Sequence, residues 1–130
     1  MKILHSADWH LDSPLLGRTE AQTQSLRKAL LEIPDKIASL CRSENCDLLL
    51  LCGDLFDGAY TKESYQAVYS ALSQLKIPVI ITPGNHDYCA PNSPYLKENW
   101  PDNVHIFTET ELMSISLPEK NCTVWGYGFT

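Results

Sequence analysis

The sequence lacks any apolar stretch approaching the roughly 18 to 20 consecutive residues that a membrane-spanning helix needs. Its first residues lead straight into polar positions rather than an apolar signal region, so we expect a cytoplasmic protein without membrane contact. It also lacks a cysteine framework, because its five cysteines are odd in number and none stands in a Cys-x-x-Cys pair. The chain is therefore expected to use neither disulfides nor a cysteine zinc site, and its thiols should be small hydrophobes.

Positive charge is scarce. Ten Lys and Arg residues face sixteen Asp and Glu residues, which gives a net charge of −6. An acidic chain is a poor candidate for wrapping anionic nucleic acid by itself. Divalent cations held by clustered carboxylates reverse the local field, however, so the net charge does not exclude a phosphate substrate.

The order of apolar segments predicts one α/β domain of 130 residues. Strands are predicted over 2–7, 46–52 and 77–82, and helices over 22–43 and 62–75. Pro34 either kinks the first helix or starts a second segment, and Thr61 is the expected N-cap of the next helix. Three strands joined by two helical crossovers predict a βαβαβ half with a parallel sheet flanked by helices.

The second part of the chain has a different pattern. A proline-rich segment, 83–101, is predicted to be a long functional loop with at most a short helix around 93–99. Three short strands are predicted after it, over 104–107, 112–117 and 122–127. No internal repeat or low-complexity tract is present.

Three polar motifs follow the first three predicted strands: Asp8-Trp9-His10, Gly53-Asp54-Leu55-Phe56-Asp57 and Gly84-Asn85-His86-Asp87. The carboxyl ends of parallel strands share one edge of an open sheet, where ligands bind. Asp8 and His10 are two residues apart, and in extended backbone they point the same way and can hold one ion. Asp54 is the natural bridge to a second ion, which leaves Asn85 to bind that ion through its amide oxygen.

Oxygen and imidazole ligands without thiolate favour Mn²⁺, Fe²⁺, Zn²⁺ or Mg²⁺. Two such ions about 3.5 to 4 Å apart activate a water and stabilise both oxygens of an in-line phosphoryl displacement. Ordinary turn residues are the alternative, because Asp, Asn and Gly cluster wherever strands end. Three such motifs at three successive strand ends favour a two-metal site for phosphoester hydrolysis.

The ordered motifs Asp-x-His, Gly-Asp-x-x-Asp and Gly-Asn-His-Asp resemble the signature of the calcineurin-like metallophosphoesterases. Within that superfamily, residues 2–11, 53–57 and 84–87 are similar to those of SbcD-type DNA double-strand-break repair exonucleases. The resemblance implies that Asp8 and His10 bind the first metal, Asp54 bridges, and Asn85 binds the second. It also implies that His86 is the catalytic histidine, oriented by Asp87.

Two interpretations are open for each of two residues beside the ligands. Asp57 occupies a position that contacts the substrate side in some family members, although a carboxylate that caps the following loop has the same appearance in sequence. Trp9 either stacks on a nucleobase of the substrate or packs under the metal loops. His5 and His105 are expected to be strand residues rather than ligands.

The resemblance implies a Mn²⁺-dependent nuclease that acts on DNA ends with an SMC-like coiled-coil ATPase as partner, and it allows a homodimer. A phosphatase or a small-molecule phosphodiesterase uses the same metals and is the alternative enzyme. A metal-free, protein-binding scaffold is a third hypothesis. It is disfavoured because a scaffold does not need all of these polar residues together.

The family pattern continues with a further histidine and a Gly-His-x-His motif that supply the remaining metal ligands, and this sequence contains no such motif. We therefore expect residues 1–130 to be the N-terminal part of a metallophosphoesterase catalytic domain, truncated relative to the full family domain. Metal binding and activity of this part alone should be weak.

Overall fold

A computed structural model describes all residues, 1–130, and contains a four-stranded parallel sheet followed by a two-stranded antiparallel one. The strands are β1 (Ile3–Ser6), β2 (Leu48–Cys52), β3 (Val79–Thr82), β4 (Val104–Ile106), β5 (Met113–Leu117) and β6 (Cys122–Gly126). The helices are α1 (Glu20–Leu31), α2 (Ile33–Ser43), α3 (Lys62–Ser73) and α4 (Pro94–Lys97). Strands β1 to β4 lie side by side in chain order, which confirms the predicted α/β class and its parallel sheet.

The central strand β2 is covered on both faces, as is usual for an unbroken apolar run in a parallel sheet. Leu49 and Leu51 point into the main core, which also contains buried residues of α2 and α3. Leu48 points to the opposite face, where it packs with Phe107 and Leu117 in a smaller cluster. The alternation follows from the period of two residues along a strand.

Pro34 marks the start of a second helix. The segment predicted as one helix over 22–43 consists of α1 and α2, and Pro34 lies in the first turn of α2, where its missing N–H has no intrahelical acceptor. Pro34 therefore marks the start of a second segment rather than a kink within one helix. Helix α1 begins at Glu20, two residues earlier than predicted, and has no buried residue.

Helix α3 follows its prediction closely. Thr61 is the N-cap, and its Oγ1 accepts a hydrogen bond of 3.1 Å from the amide of Ser64. The helix and the residues just after it turn four side chains toward the core, Tyr65, Val68, Leu72 and Leu75, and all four are buried. The side chain of Asp12 accepts a hydrogen bond from the Thr61 amide, which ties the segment after β1 to the start of this helix.

Strands β5 and β6 form an antiparallel hairpin connected by a 3₁₀ turn, Pro118–Lys120, and a left-handed Asn121. Leu117 anchors the hairpin to the sheet, whereas Trp125 is 65% exposed. The helices of the molecule are all too short or too polar to cross a membrane. Three of the five cysteines are buried (Cys41, Cys46 and Cys89), and Cys52 is exposed.

Candidate metal centre

The segments that follow β1 and β2 run beside each other past the ends of the strands. The amide of Asp8 donates to the Gly53 carbonyl at 3.0 Å, and the amide of His10 donates to the Asp54 carbonyl at 2.9 Å. One more parallel bridge, between Leu11 and Phe56, extends the pairing. The first two motifs are therefore fixed against each other by their backbones.

Three of the predicted ligands meet at this edge. Asp8, His10 and Asp54 each offer a ligand atom, and these atoms lie within 4.8 Å of one another. The Nε2 atom of His10 is 3.8 Å from Oδ1 of Asp8. The Asp54 carboxylate is the buried member of the group, and the Asp8 side chain is exposed. An anion cluster with one imidazole suits a divalent cation such as Mn²⁺, Fe²⁺, Zn²⁺ or Mg²⁺.

The backbone brings these side chains together in an unexpected way. Asp8, His10 and Asp54 have φ values of 58°, 50° and 54°, which lie in the left-handed region that non-glycine residues seldom adopt. The expectation of extended backbone at Asp8 and His10 is thus wrong, although the two side chains do lie on the same side. The hydrogen bonds to the neighbouring segment hold this conformation in place.

The third motif closes around Asp54. The amide of His86 donates to Oδ1 of Asp54 at 2.9 Å. A Cβ atom added to Gly84 would lie 2.2 Å from the same oxygen, so only glycine allows this approach. Asn85 lies between these two residues in the chain and is exposed.

Asp57 holds the two histidines of the site. Its Oδ1 atom is 2.9 Å from Nδ1 of His10 and 3.2 Å from Nδ1 of His86. The two imidazole rings are edge to face, with centroids 5.2 Å apart. Because Nδ1 of His10 is engaged, its Nε2 is the nitrogen directed at Asp8, and a carboxylate behind a ligand histidine fixes its tautomer and raises its basicity.

No lysine or arginine neutralises this cluster. The lysine ion pairs of the chain join Lys2 to Glu44, Lys36 to Glu32 and Lys120 to Asp47, all away from the site. The side chains of Asp8 and Asp57 pair with histidines, and Asp54 lies beside Asp8 and His10. Like charges gathered this closely repel one another, and bound cations remove that repulsion.

The family model for calcineurin-like phosphoesterases matches residues 1–125. The chain belongs to the calcineurin-like phosphoesterase family. This membership confirms the predicted superfamily and gives the activity class, which is metal-dependent phosphoester hydrolysis. Asp8, His10 and Asp54 form a donor set that divalent metals use, in keeping with that class.

In this calcineurin-like phosphoesterase, Asp87 does not orient His86, and that expectation is corrected. Asp87 is 3% exposed, and both of its oxygens accept hydrogen bonds from backbone amides. Oδ1 accepts from Asp54 at 3.0 Å and from Gly84 at 2.7 Å, and Oδ2 accepts from Leu55 at 2.9 Å. Asp87 therefore fastens the second motif to the third, and Asp57 is the carboxylate that contacts the His86 ring.

Trp9 does not face the substrate side. It is 4% exposed, belongs to the main core, and donates from Nε1 to Oγ of Ser6 at 2.8 Å. Of the two roles considered for Trp9, packing under the metal loops is the correct one. His5 lies in β1 and His105 in β4, and neither belongs to a cluster of ligand atoms.

A cavity of about 760 Å³ opens beside His86. Its lining includes Tyr60, Lys62, Tyr88, Asn92 and Lys97. Tyr60 donates its hydroxyl to Glu98 at 2.7 Å, and burial together with that bond raises the pKa of Tyr60 to about 12, so the phenol is neutral at physiological pH. The sequence did not identify the two lysines of this cavity, because their approach to the site depends on how α3 and α4 are placed.

Proposed function

We propose that this calcineurin-like phosphoesterase hydrolyses phosphodiester bonds of DNA as a nuclease of DNA repair, with two Mn²⁺ ions. In this proposal Asp8 and His10 would hold the first ion, Asp54 would be shared by both ions, and Asn85 would hold the second. The likeness of residues 2–11, 53–57 and 84–87 to SbcD-type exonucleases supports DNA as the substrate.

The observation that carries the proposal is the convergence of Asp8, His10 and Asp54, whose ligand atoms lie within 4.8 Å of one another. The hydrogen bond from the His86 amide to Asp54 adds the third motif to the same place. Residues that are distant in sequence thus share one small volume, as a site for two cations requires.

In the proposed reaction, His86 and the two cavity lysines have different roles. Two divalent cations, when bound, would supply positive charge near the phosphoryl oxygens and lower the pKa of a bound water. His86 has a half-exposed side chain, and Asp57 holds it through Nδ1. Its Nε2 is thereby free to donate a proton or a hydrogen bond to the leaving oxygen. The lysines of the neighbouring cavity, Lys62 and Lys97, offer positive charge to the phosphates that flank the cleaved bond.

The donor set also bears on the extent of the domain. Asp8, His10, Asp54 and Asn85 provide fewer ligands than two closed coordination shells need. We propose that residues 1–130 form the N-terminal part of the catalytic domain and that histidines elsewhere complete it. The resemblance to SbcD-type exonucleases supports the further proposal of an SMC-like coiled-coil ATPase as partner and of a homodimer. We also propose a cytoplasmic location, because the first residues do not form an apolar signal region.

A phosphatase or small-molecule phosphodiesterase is the second candidate. The net charge of −6 opposes contact with long stretches of DNA, and the cavity beside His86 has the size of a small-molecule site. A metal-free scaffold is a weaker candidate, because the unneutralised carboxylates destabilise a fold that binds no cation.

The test is Mn²⁺-dependent hydrolysis of three substrates by the chain in its full reading frame: linear duplex DNA, bis(p-nitrophenyl) phosphate and p-nitrophenyl phosphate. We expect cleavage of DNA and of the generic diester, and little turnover of the monoester. Fast hydrolysis of the monoester without cleavage of DNA would contradict the nuclease proposal and favour a phosphatase. No turnover of any substrate, together with no Mn²⁺ binding, would favour the scaffold.

A further inference from the structure

Tyr95 is a buried tyrosine that lies outside the three motifs. It is in the short helix α4, is 5% exposed, and donates its hydroxyl to Oδ2 of Asp87. Burial, together with the negative charge of Asp87, raises the pKa of Tyr95 well above its ordinary range. The hydroxyl therefore keeps its proton and remains a hydrogen-bond donor.

The ring of Tyr95 is fixed by other aromatic residues. It stacks on Trp100 with centroids 5.9 Å apart, and it meets Phe56 edge to face at 6.1 Å. Trp100 is itself held, since its Nε1 donates to the Pro94 carbonyl at 3.0 Å. The hydroxyl of Tyr95 is thus presented to Asp87 from a rigid platform rather than from a free loop.

Asp87 receives that hydroxyl at the point where two metal-binding loops meet. Its carboxylate accepts the amides of Asp54 and Leu55 from one loop and the amide of Gly84 from the other. A shift of this carboxylate changes the position of Asp54 relative to the loop that carries Asn85. Small displacements of ligand atoms weaken metal binding strongly.

We propose that Tyr95 is a positioning residue of the metal centre, which acts through Asp87 to set the spacing between the loop of Asp54 and the loop of Asn85. The inference rests on the proposed metal-binding function of those loops. Tyr95 touches neither metal nor substrate in this role. It keeps the carboxylate of Asp87 in the one orientation that serves both loops.

The test compares Tyr95→Phe with Tyr65→Phe. Tyr65 is a matched control because it is 7% exposed, packs on the same Trp100, and donates its hydroxyl to the Asn99 carbonyl instead of to Asp87. Each substitution removes one hydroxyl and one hydrogen bond. Two quantities are measured in the chain in its full reading frame: amide hydrogen exchange of Asp54, Leu55 and Gly84, and the Mn²⁺ dissociation constant, followed by the electron paramagnetic resonance signal of free Mn²⁺.

We expect Tyr95→Phe to speed exchange of these amides about tenfold, because a hydrogen bond to a charged group is lost. We expect its Mn²⁺ affinity to fall about tenfold, as for other outer-shell partners of metal ligands. Tyr65→Phe should leave both quantities unchanged. Circular dichroism and thermal melting of both variants check that they are equally folded.

Three results would overturn the inference, and they are distinguishable. Equal exchange rates in the two variants would show that Tyr95 does not hold the loops. Faster exchange with unchanged Mn²⁺ affinity would make Tyr95 a structural brace without a role in metal positioning. Failure of the unaltered chain to bind Mn²⁺ would overturn the proposed function together with the inference.

Discussion

The charged residues are arranged differently at the two ends of the parallel sheet. At the amino end, opposite charges are paired: Lys2 lies 3.6 Å from Glu44, and Lys120 lies 3.8 Å from Asp47. At the carboxyl end, carboxylates gather with only histidines between them. The first arrangement suits a surface in water. The second is unfavourable without a bound cation, and this difference identifies the functional end of the molecule.

Among the substitutions that test this comparison, Asp54→Asn is expected to have the largest effect on turnover and on stability. The amide keeps an oxygen for the His86 amide but loses the charge that attracts cations, so Mn²⁺-dependent turnover should fall about 100-fold or more. In the presence of a chelator, the variant should melt at a higher temperature than the unaltered chain, because one repelling charge is gone.

Calorimetry with and without Mn²⁺ checks the Asp54 prediction. The unaltered chain should gain stability from Mn²⁺, and Asp54→Asn should gain little. If Asp54→Asn is less stable than the unaltered chain in chelator, repulsion among the carboxylates does not destabilise the carboxyl end of the sheet.

Asp57→Asn should have an intermediate effect. The neutral amide no longer fixes the tautomers of His10 and His86, so turnover of a generic phosphodiester is expected to fall about 10- to 100-fold. Steady-state kinetics give kcat and KM separately. In the proposed function His86 acts on the leaving oxygen, so the loss should appear mainly in kcat. A loss confined to KM would argue that Asp57 contacts the substrate instead.

Asp47→Asn is expected to have the smallest effect, and it tests the charge pairing at the amino end of the parallel sheet. The Lys2 amide donates to Asp47 at 2.7 Å, and this bond holds the pKa of the Asp47 carboxyl below its ordinary value. A lowered pKa stabilises the fold above the unfolded-state pKa of about 4, and this stabilisation is lost as the pH falls through the lowered value.

The Asp47 variant should therefore melt slightly below the unaltered chain at pH 7, and the difference should vanish in strong acid. Its Mn²⁺ affinity should be unchanged. Thermal melts over a pH series and a Mn²⁺ titration measure both quantities. A change in Mn²⁺ affinity would mean that the two ends of the sheet are coupled, contrary to the comparison above.

The sequence predicted the fold well because its signals are local. The apolar run before Gly53 and the cap at Thr61 act over a few residues, and neither depends on distant packing. Pro34 left two alternatives because one proline is compatible with a kink or a restart. The buried face of the segment 22–43 was harder to predict: the apolar Leu40 is 43% exposed, and the buried positions of α2 are Pro34, Ala38 and Cys41.

The roles of the aspartates were harder to predict than their presence at the site. Asp57 and Asp87 both end a polar motif after a strand, and sequence alone gives no direction for either side chain. The choice depends on which neighbours approach: two imidazoles reach Asp57, whereas four backbone amides and Tyr95 reach Asp87. Trp9 was ambiguous for the same reason, since the left-handed residues on either side of it decide where its ring points.

The left-handed backbone of Asp8, His10 and Asp54 has a consequence for engineering. Glycine adopts this conformation without strain, so a search for more stable variants will tend to select glycine at these three positions. Each such gain in thermal resistance would remove a donor that a cation needs. In this molecule, heat tolerance and metal affinity are therefore expected to compete at the same three α-carbons.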